Sequence, residues 1–143
     1  VHPAVLRLLW ASKGWRRLSL VTAAMAGAGA PDGLSRFGGQ EVTVAGGSAR
    51  LADGTLAGSV LTMDRAVLEL AAWGVPAREA VGMATLAPAE AAGLDGVGRL
   101  APGCRADLVA LHPGLEVAWT MVGGRRERAD CGRNLPRLRM SLP

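Results

Sequence analysis

The chain has no tyrosine and a single phenylalanine, Phe37, beside four tryptophans in 143 residues. Surfaces that stack the bases of single-stranded nucleic acid use several exposed rings, so this composition argues against such a partner. Lysine is almost missing too: Lys13 is the one lysine, and every other cation is an arginine. That skew suggests a GC-rich coding sequence more than a selected phosphate-binding face. The two cysteines, Cys104 and Cys131, form no CxxC, which excludes a disulfide framework and a zinc knuckle. A long hydrophobic run is also lacking. The most apolar stretch, Leu18–Pro31, falls short of the ~20 apolar residues that a membrane helix needs. No secretory signal pattern is visible. The expectation is a cytoplasmic, soluble protein without nucleic-acid or membrane partners. The first residue is Val1 rather than methionine, and a helical pattern follows at once. The chain therefore reads as starting inside something larger.

Half of the residues are hydrophobic and a fifth are charged, which suits one packed domain of ordinary size. The net charge of +4 is concentrated late, in GGRRERAD and NLPRLRMSLP. A basic segment of that kind contacts phosphate or RNA in some proteins, but a solvated tail is the commoner outcome.

Along the chain, Pro3–Ser12 predicts a helix, with Pro3 in its first turn and Gly14 as its stop. Leu18–Val21 predicts a short buried strand, and Gly27–Gly39 a glycine-rich loop with a PDG turn. Glu41–Val44 and Ser48–Leu51 alternate around Gly46-Gly47, the pattern of a β-hairpin. Asp53-Gly54 makes a further turn. Thr62 is a candidate N-cap, with Asp64 in the first helical turn and Met63, Val67 and Leu70 as the apolar stripe. Pro76 opens a second helix, with Ala80, Val81 and Ala84 inward, and Pro88 a third that Gly93 closes. Gly98–Leu100, Ala106–Leu111 and Glu116–Val122 are strand candidates, and residues from Arg125 onward read as a loose tail.

The stretch LVTAAMAGAG, Leu20–Gly29, poses a chemical question. A buried strand often delivers a reactive side chain at its end, yet this one delivers Thr22, Ala23 and Ala24. Alanine neither moves a proton nor holds a metal. Other candidates have ordinary explanations. His2 lies near the chain end, His112 sits in an HPG turn, Cys104 in a turn, and Met25, Met63 and Met83 at core positions. Asp64 and Asp107 are explained by a cap and a turn.

The run MATLAPAEAAGLDGVGRLAPGCRADLVAL, Met83–Leu111, resembles a signature of the amidohydrolase superfamily: A-T-x-x-P-A, then G-L, then G-x-L-x-P-G-x-x-A-D-L-V-x-L. LVTAAMAGAGAPDG, Leu20–Gly33, and ADGTLAGSVLTMDRAV, Ala52–Val67, narrow the resemblance to the N-acetylglucosamine-6-phosphate deacetylase family. The likeness extends to about Gly124. It implies an α/β fold: the C-terminal part of a (β/α)₈ barrel plus strands of a small β-sandwich. By that reading, residues 1–35 hold the last barrel helix and strand. Residues 36–60 hold a sandwich hairpin and a substrate-side loop, and 61–95 the terminal barrel helices. Residues 96–124 hold the last sandwich strands, and 125–143 a flexible tail.

The resemblance also implies chemistry. The family uses a divalent metal, zinc or similar, to polarise an acetamide carbonyl and activate water. An aspartate on the last barrel strand serves as general base. The match of VTAAMA to V-T-D-A-M-A puts Ala23 at that aspartate's position, so Ala23 reads as a lost base, although an alanine after a strand also suits plain packing. Leu56, Ala57 and Gly58 match a loop that touches the sugar partly through its backbone; a simple turn joining strand to helix is compatible with the same residues. The family's metal ligands come from earlier strands not present here, so no metal is expected to bind this chain alone. The expected partners are an amino-sugar phosphate, a missing N-terminal barrel half and a second copy of the chain. The function so implied is deacetylation of N-acetylglucosamine 6-phosphate, carried by a C-terminal fragment inactive by itself. Two alternatives stand beside it: a non-catalytic remnant or half of a split enzyme, and a dihydroorotase- or deaminase-like branch, against which GTLAGSVLTM argues.

Overall fold

The computed structural model describes residues 2–25, 28–29 and 31–127. It divides into two units, Val1–Arg105 and Ala106–Pro143.

In the first unit, helix α1 spans Pro3–Lys13. Its start is capped by His2, whose Nδ1 accepts the Ala4 N–H at 3.2 Å. Its end is set by Gly14, with φ 71°, a left-handed conformation that costs glycine little. A single 3₁₀ turn follows at Trp15–Arg17. Helices α2 (Met63–Ala72), α3 (Ala77–Ala84) and α4 (Leu86–Ala91) come later. Thr62 does stand at the N-cap of α2, but its side chain makes no capping bond; its carbonyl instead takes the Ala66 N–H at 3.0 Å. Helix α4 begins two residues before Pro88. Proline is tolerated there because the first-turn N–H groups have no partner within the helix.

The helices share one core of Val67, Leu70, Val75, Ala80 and Met83, against which Leu6, Trp10, Trp15, Leu18, Leu20 and Trp73 pack. Two tryptophans fix α3. The Trp10 indole N–H donates to Glu79 Oε2 at 2.7 Å. Trp15 lies against buried Gly82, so closely that a Cβ there would come within 2.5 Å of its ring.

Leu18–Val21, expected as a strand, joins no ladder. Leu20 donates its N–H to the Met83 carbonyl at 2.8 Å, and the isolated parallel bridge between Ala24 and Ser59 lies three residues beyond the segment. A strand needs a partner edge along its length, and this stretch meets α3 through that one hydrogen bond instead.

A four-stranded antiparallel meander completes the unit: β1 Gly33–Phe37, β2 Gln40–Ala45, β3 Ser48–Leu51 and β4 Leu56–Ser59. The expected hairpin is β2–β3, paired from Val42↔Leu51 to Ala45↔Ser48. Strand β1 lies within the segment expected as a loop, Gly27–Gly39. It is formed because Gly38-Gly39, with φ 58° and 81°, makes a second two-residue turn of the same kind as Gly46-Gly47, with φ 56° and 81°. Positive φ at both central residues defines the type I′ turn, whose twist matches that of the strands. The sheet buries Val42, Val44 and Ala49, with Met25, Phe37, Leu51, Ala57 and Val60 packed around them.

Gly98–Leu100 is not a strand. Gly98 takes φ 76° and presses its backbone against α4, where a Cβ would lie 2.7 Å from that of Ala89.

The second unit contains β5 Leu108–Leu111, β6 Val117–Val122 and β7 Arg125–Glu127 in one antiparallel sheet. Gly123-Gly124 repeats the turn seen twice before, with φ 55° and 81°. It carries the sheet three residues into the segment expected as a loose tail. The remainder of that expectation, residues 128–143, lies outside the described residues. Asp107 Oδ1 accepts the Gly123 N–H at 2.7 Å, and Arg126 stacks over Trp119 at 5.2 Å.

Candidate functional site

Two stretches singled out in the sequence meet in space. Ala24 pairs with Ser59, and the Met25 N–H donates to the Ser59 carbonyl at 2.8 Å. Ala23 thus sits one residue before the bridge on one side, and Gly58 one residue before it on the other. Ala23 is exposed and has φ 47°. That left-handed conformation is uncommon for alanine, and aspartate and asparagine enter it several times more often than other side chains. Thr22 Oγ1 accepts the Ala24 N–H at 3.4 Å across the turn.

Leu56–Gly58 is strand rather than loop, but an irregular one. Ala49 opposes Gly58 and Arg50 opposes Leu56, which leaves Ala57 as the extra residue of a β-bulge. Bulges bend a strand and re-aim its side chains, and they recur beside active sites. Here the bulge lets Ala57 reach the sheet core while Leu56 remains 62% exposed. Gly58 is where the two stretches are closest: a Cβ there would lie 3.0 Å from the Met25 sulfur. At the far end of β4, Ser59 Oγ accepts the Leu61 N–H at 3.1 Å, which turns the chain toward α2.

The remaining candidates have structural roles. His2 caps α1, and His112 closes a turn through its backbone, accepting the Leu115 N–H at 2.8 Å. Asp107 holds the β6–β7 turn. Cys104 is half-buried and donates its N–H to the Ala101 carbonyl. Asp53 is fully exposed and held below the ordinary carboxylate range, first by the backbone N–H of Thr55 and then by the Thr55 side chain. Among the described residues no three His, Cys, Asp or Glu side chains converge to hold a metal ion.

Sequence reasoning missed Met25 and Ser59 as members of this site. Met25 read as a core filler, and it does pack against the sheet core; its second contact was signalled by Gly58, since glycine inside a strand marks close backbone approach.

The amidohydrolase family model matches residues 38–126, more than half of the chain. An Escherichia coli (strain K12) protein, provisionally named N-acetylgalactosamine-6-phosphate deacetylase, is 45% identical over 127 residues, which are 87% of this chain and 75% of that protein. The N-acetylgalactosamine-6-phosphate deacetylase of Escherichia coli O157:H7 is 45% identical over the same length, but the match covers 33% of it. Among solved structures, the N-acetylglucosamine-6-phosphate deacetylase of Pasteurella multocida superposes with a TM-score of 0.80 at 33% identity, covering 89% of this chain and 34% of that one. An aspartate-to-alanine variant of the Mycobacterium smegmatis N-acetyl-D-glucosamine-6-phosphate deacetylase, in complex with N-acetyl-D-glucosamine-6-phosphate, superposes with a TM-score of 0.78 at 42% identity, covering 88% and 34%.

The chain belongs to the N-acetylglucosamine-6-phosphate deacetylase family of the amidohydrolases. It spans about a third of the length of the solved deacetylases it superposes on. Its fold is the corresponding α/β part of the barrel together with strands of the small β-sandwich.

Proposed function

We propose that this chain forms part of a hydrolase that cleaves the acetamide of an N-acetyl hexosamine 6-phosphate. Water is added across the C–N bond, giving acetate and the free amine. The observation that carries this reading is the meeting of the Ala23 stretch with the Leu56–Gly58 bulge through the Ala24–Ser59 bridge. In this reading Leu56, Ala57 and Gly58 face the sugar, and Ala23 occupies the place where the family carries its general base. Relatives are named for both the gluco and the galacto sugar, so the substrate class is the 6-phosphorylated N-acetyl hexosamine and the epimer is left to experiment. A phosphorylated sugar is retained inside a cell by its charge, which supports a cytoplasmic location.

Amidohydrolases are generally metal-dependent, with the metal supplying a polarised carbonyl and an activated water. Among the described residues no set of donors converges to fit such an ion. The alanine at position 23 supports a chain that does not turn over substrate by itself. Loss of a general base alone lowers rates by ~10²–10⁴. The Mycobacterium smegmatis variant, in which alanine replaces an aspartate, holds its sugar phosphate, so binding without hydrolysis is a coherent role for an alanine-bearing relative.

The test is acetate release by the purified chain from N-acetylglucosamine 6-phosphate and N-acetylgalactosamine 6-phosphate, with and without added zinc. No release above background, and no zinc retained after dialysis, is the expected outcome; zinc-dependent turnover would overturn the reading. The exposure of Val5, Leu8 and Val21, at 47%, 69% and 80%, supports a partner that covers them: the rest of the barrel supplied by a second polypeptide, or a second copy of this chain.

A further inference from the structure

We infer that Met25 is a positioning residue: its side chain, wedged against Gly58, sets where the bulged strand stands relative to residue 23. The inference rests on the reading that Leu56–Gly58 faces the sugar, and it adds the device that fixes that strand.

Three contacts support it. The Met25 N–H donates to the Ser59 carbonyl at 2.8 Å, and the Met25 carbonyl accepts the Ala28 N–H at 2.9 Å. The backbone of Met25 is thereby fixed on both sides. Its half-buried side chain packs on the sheet core of Val42, Val44 and Ala49. Finally, the space that a Cβ on Gly58 would fill is taken by Met25: the sulfur would lie at 3.0 Å and the Met25 Cβ at 3.4 Å. Gly58 does not take a positive φ, so backbone freedom does not explain a glycine here, whereas the Met25 contact does. The bulge at Ala57 makes the β3–β4 pairing the one in its sheet with a register shift, and the Met25 contact falls on Gly58, the residue next to that bulge.

The experiment compares the full chain with Gly58→Ala and with the double substitution Gly58→Ala/Met25→Ala. Two quantities are read: hydrogen exchange of the Met25 amide, and affinity for each of the two sugar phosphates by titration calorimetry. In Gly58→Ala the new methyl pushes β4 off Met25. The Met25 amide should then exchange about tenfold faster, while the Leu70 and Met83 amides of the helical core keep their protection. Affinity should fall about tenfold. Shortening residue 25 in the double variant should restore both, even though its melting temperature drops from the cavity left in the sheet core. This recovery of affinity at reduced stability is not what a merely structural contact would give. Unchanged Met25 exchange in Gly58→Ala, or failure of the double variant to recover it, overturns the wedge. Faster exchange with unchanged affinity overturns its link to the ligand. A parent chain that binds neither sugar phosphate sinks the functional reading instead, and the exchange comparison then still decides the wedge.

Discussion

Ala23 keeps a left-handed backbone, φ 47°, that disfavours its own side chain. An L-residue with a Cβ gives up roughly 1–2 kcal/mol in that region, and glycine escapes the clash at an entropic cost of roughly 0.5–1 kcal/mol. Ala23→Gly should therefore stabilise the chain by about 0.5–1 kcal/mol, read as a rise in the urea midpoint at unchanged slope. Asp53 makes a second residue-scale prediction. Its folded carboxyl titrates below its ordinary value because Thr55 donates to the charged form. A depressed acid contributes stability that is fully present above about pH 4 and is lost as pH falls through the lowered folded value. Asp53→Asn should flatten that acid limb slightly and leave stability near neutrality dependent on the turn alone; urea titrations across pH 2–5 check it. The effect is small because the group is fully exposed.

At the scale of elements, α3 carries a glycine where helix propensity alone would ask for alanine. Substituting an interior helical glycine usually gains roughly 0.5–1 kcal/mol. Gly82 reverses the sign, because the added methyl would sit 2.5 Å and 2.7 Å from atoms of the Trp15 ring, and overpacking costs roughly 1–3 kcal/mol. Gly82→Ala should lower stability by about 1 kcal/mol, and Trp15→Leu in the same chain should recover part of the loss; thermal melts of the two variants decide it. The elements show why reading the sequence succeeded where it did. Helices α1 to α3 and the β2–β3 hairpin were legible, since period and punctuation agree there. Strand β1 was not, because Gly33 and the Gly38-Gly39 pair make its surroundings look like loop. Yet Gly38-Gly39 forms the same turn as Gly46-Gly47, and reading Gly-Gly beside an alternating run as a hairpin would have found β1, whereas β7, Arg-Arg-Glu, offers no apolar alternation to read. Leu18–Val21 failed for the opposite reason: strand composition was present, but the partner that makes a strand was not. The motifs single out Ala23 and Leu56–Gly58 separately; that the two stretches meet, and that Met25 is what meets Gly58, are tertiary contacts, of which a glycine inside a strand signals only a close approach.

On the scale of the whole molecule, large apolar side chains stand open to solvent, among them Leu8, Val21, Leu34 and Leu100 at 69%, 80%, 68% and 86% exposure. Exposed large apolar side chains drive association where they form a common surface. The mass seen in sedimentation should rise with concentration, and Leu8→Glu combined with Val21→Lys should return it toward that of one chain. A mass independent of concentration in the parent would show that those side chains need no cover. Each strand, in both units, pairs only with its immediate predecessor or successor along the chain, so no distant segment must arrive before a ladder can grow. Hairpins close in about 1–10 μs, and topologies built from such short-range pairings refold fastest. Both sheets are therefore equipped to assemble early, ahead of any slower docking of the surfaces left bare.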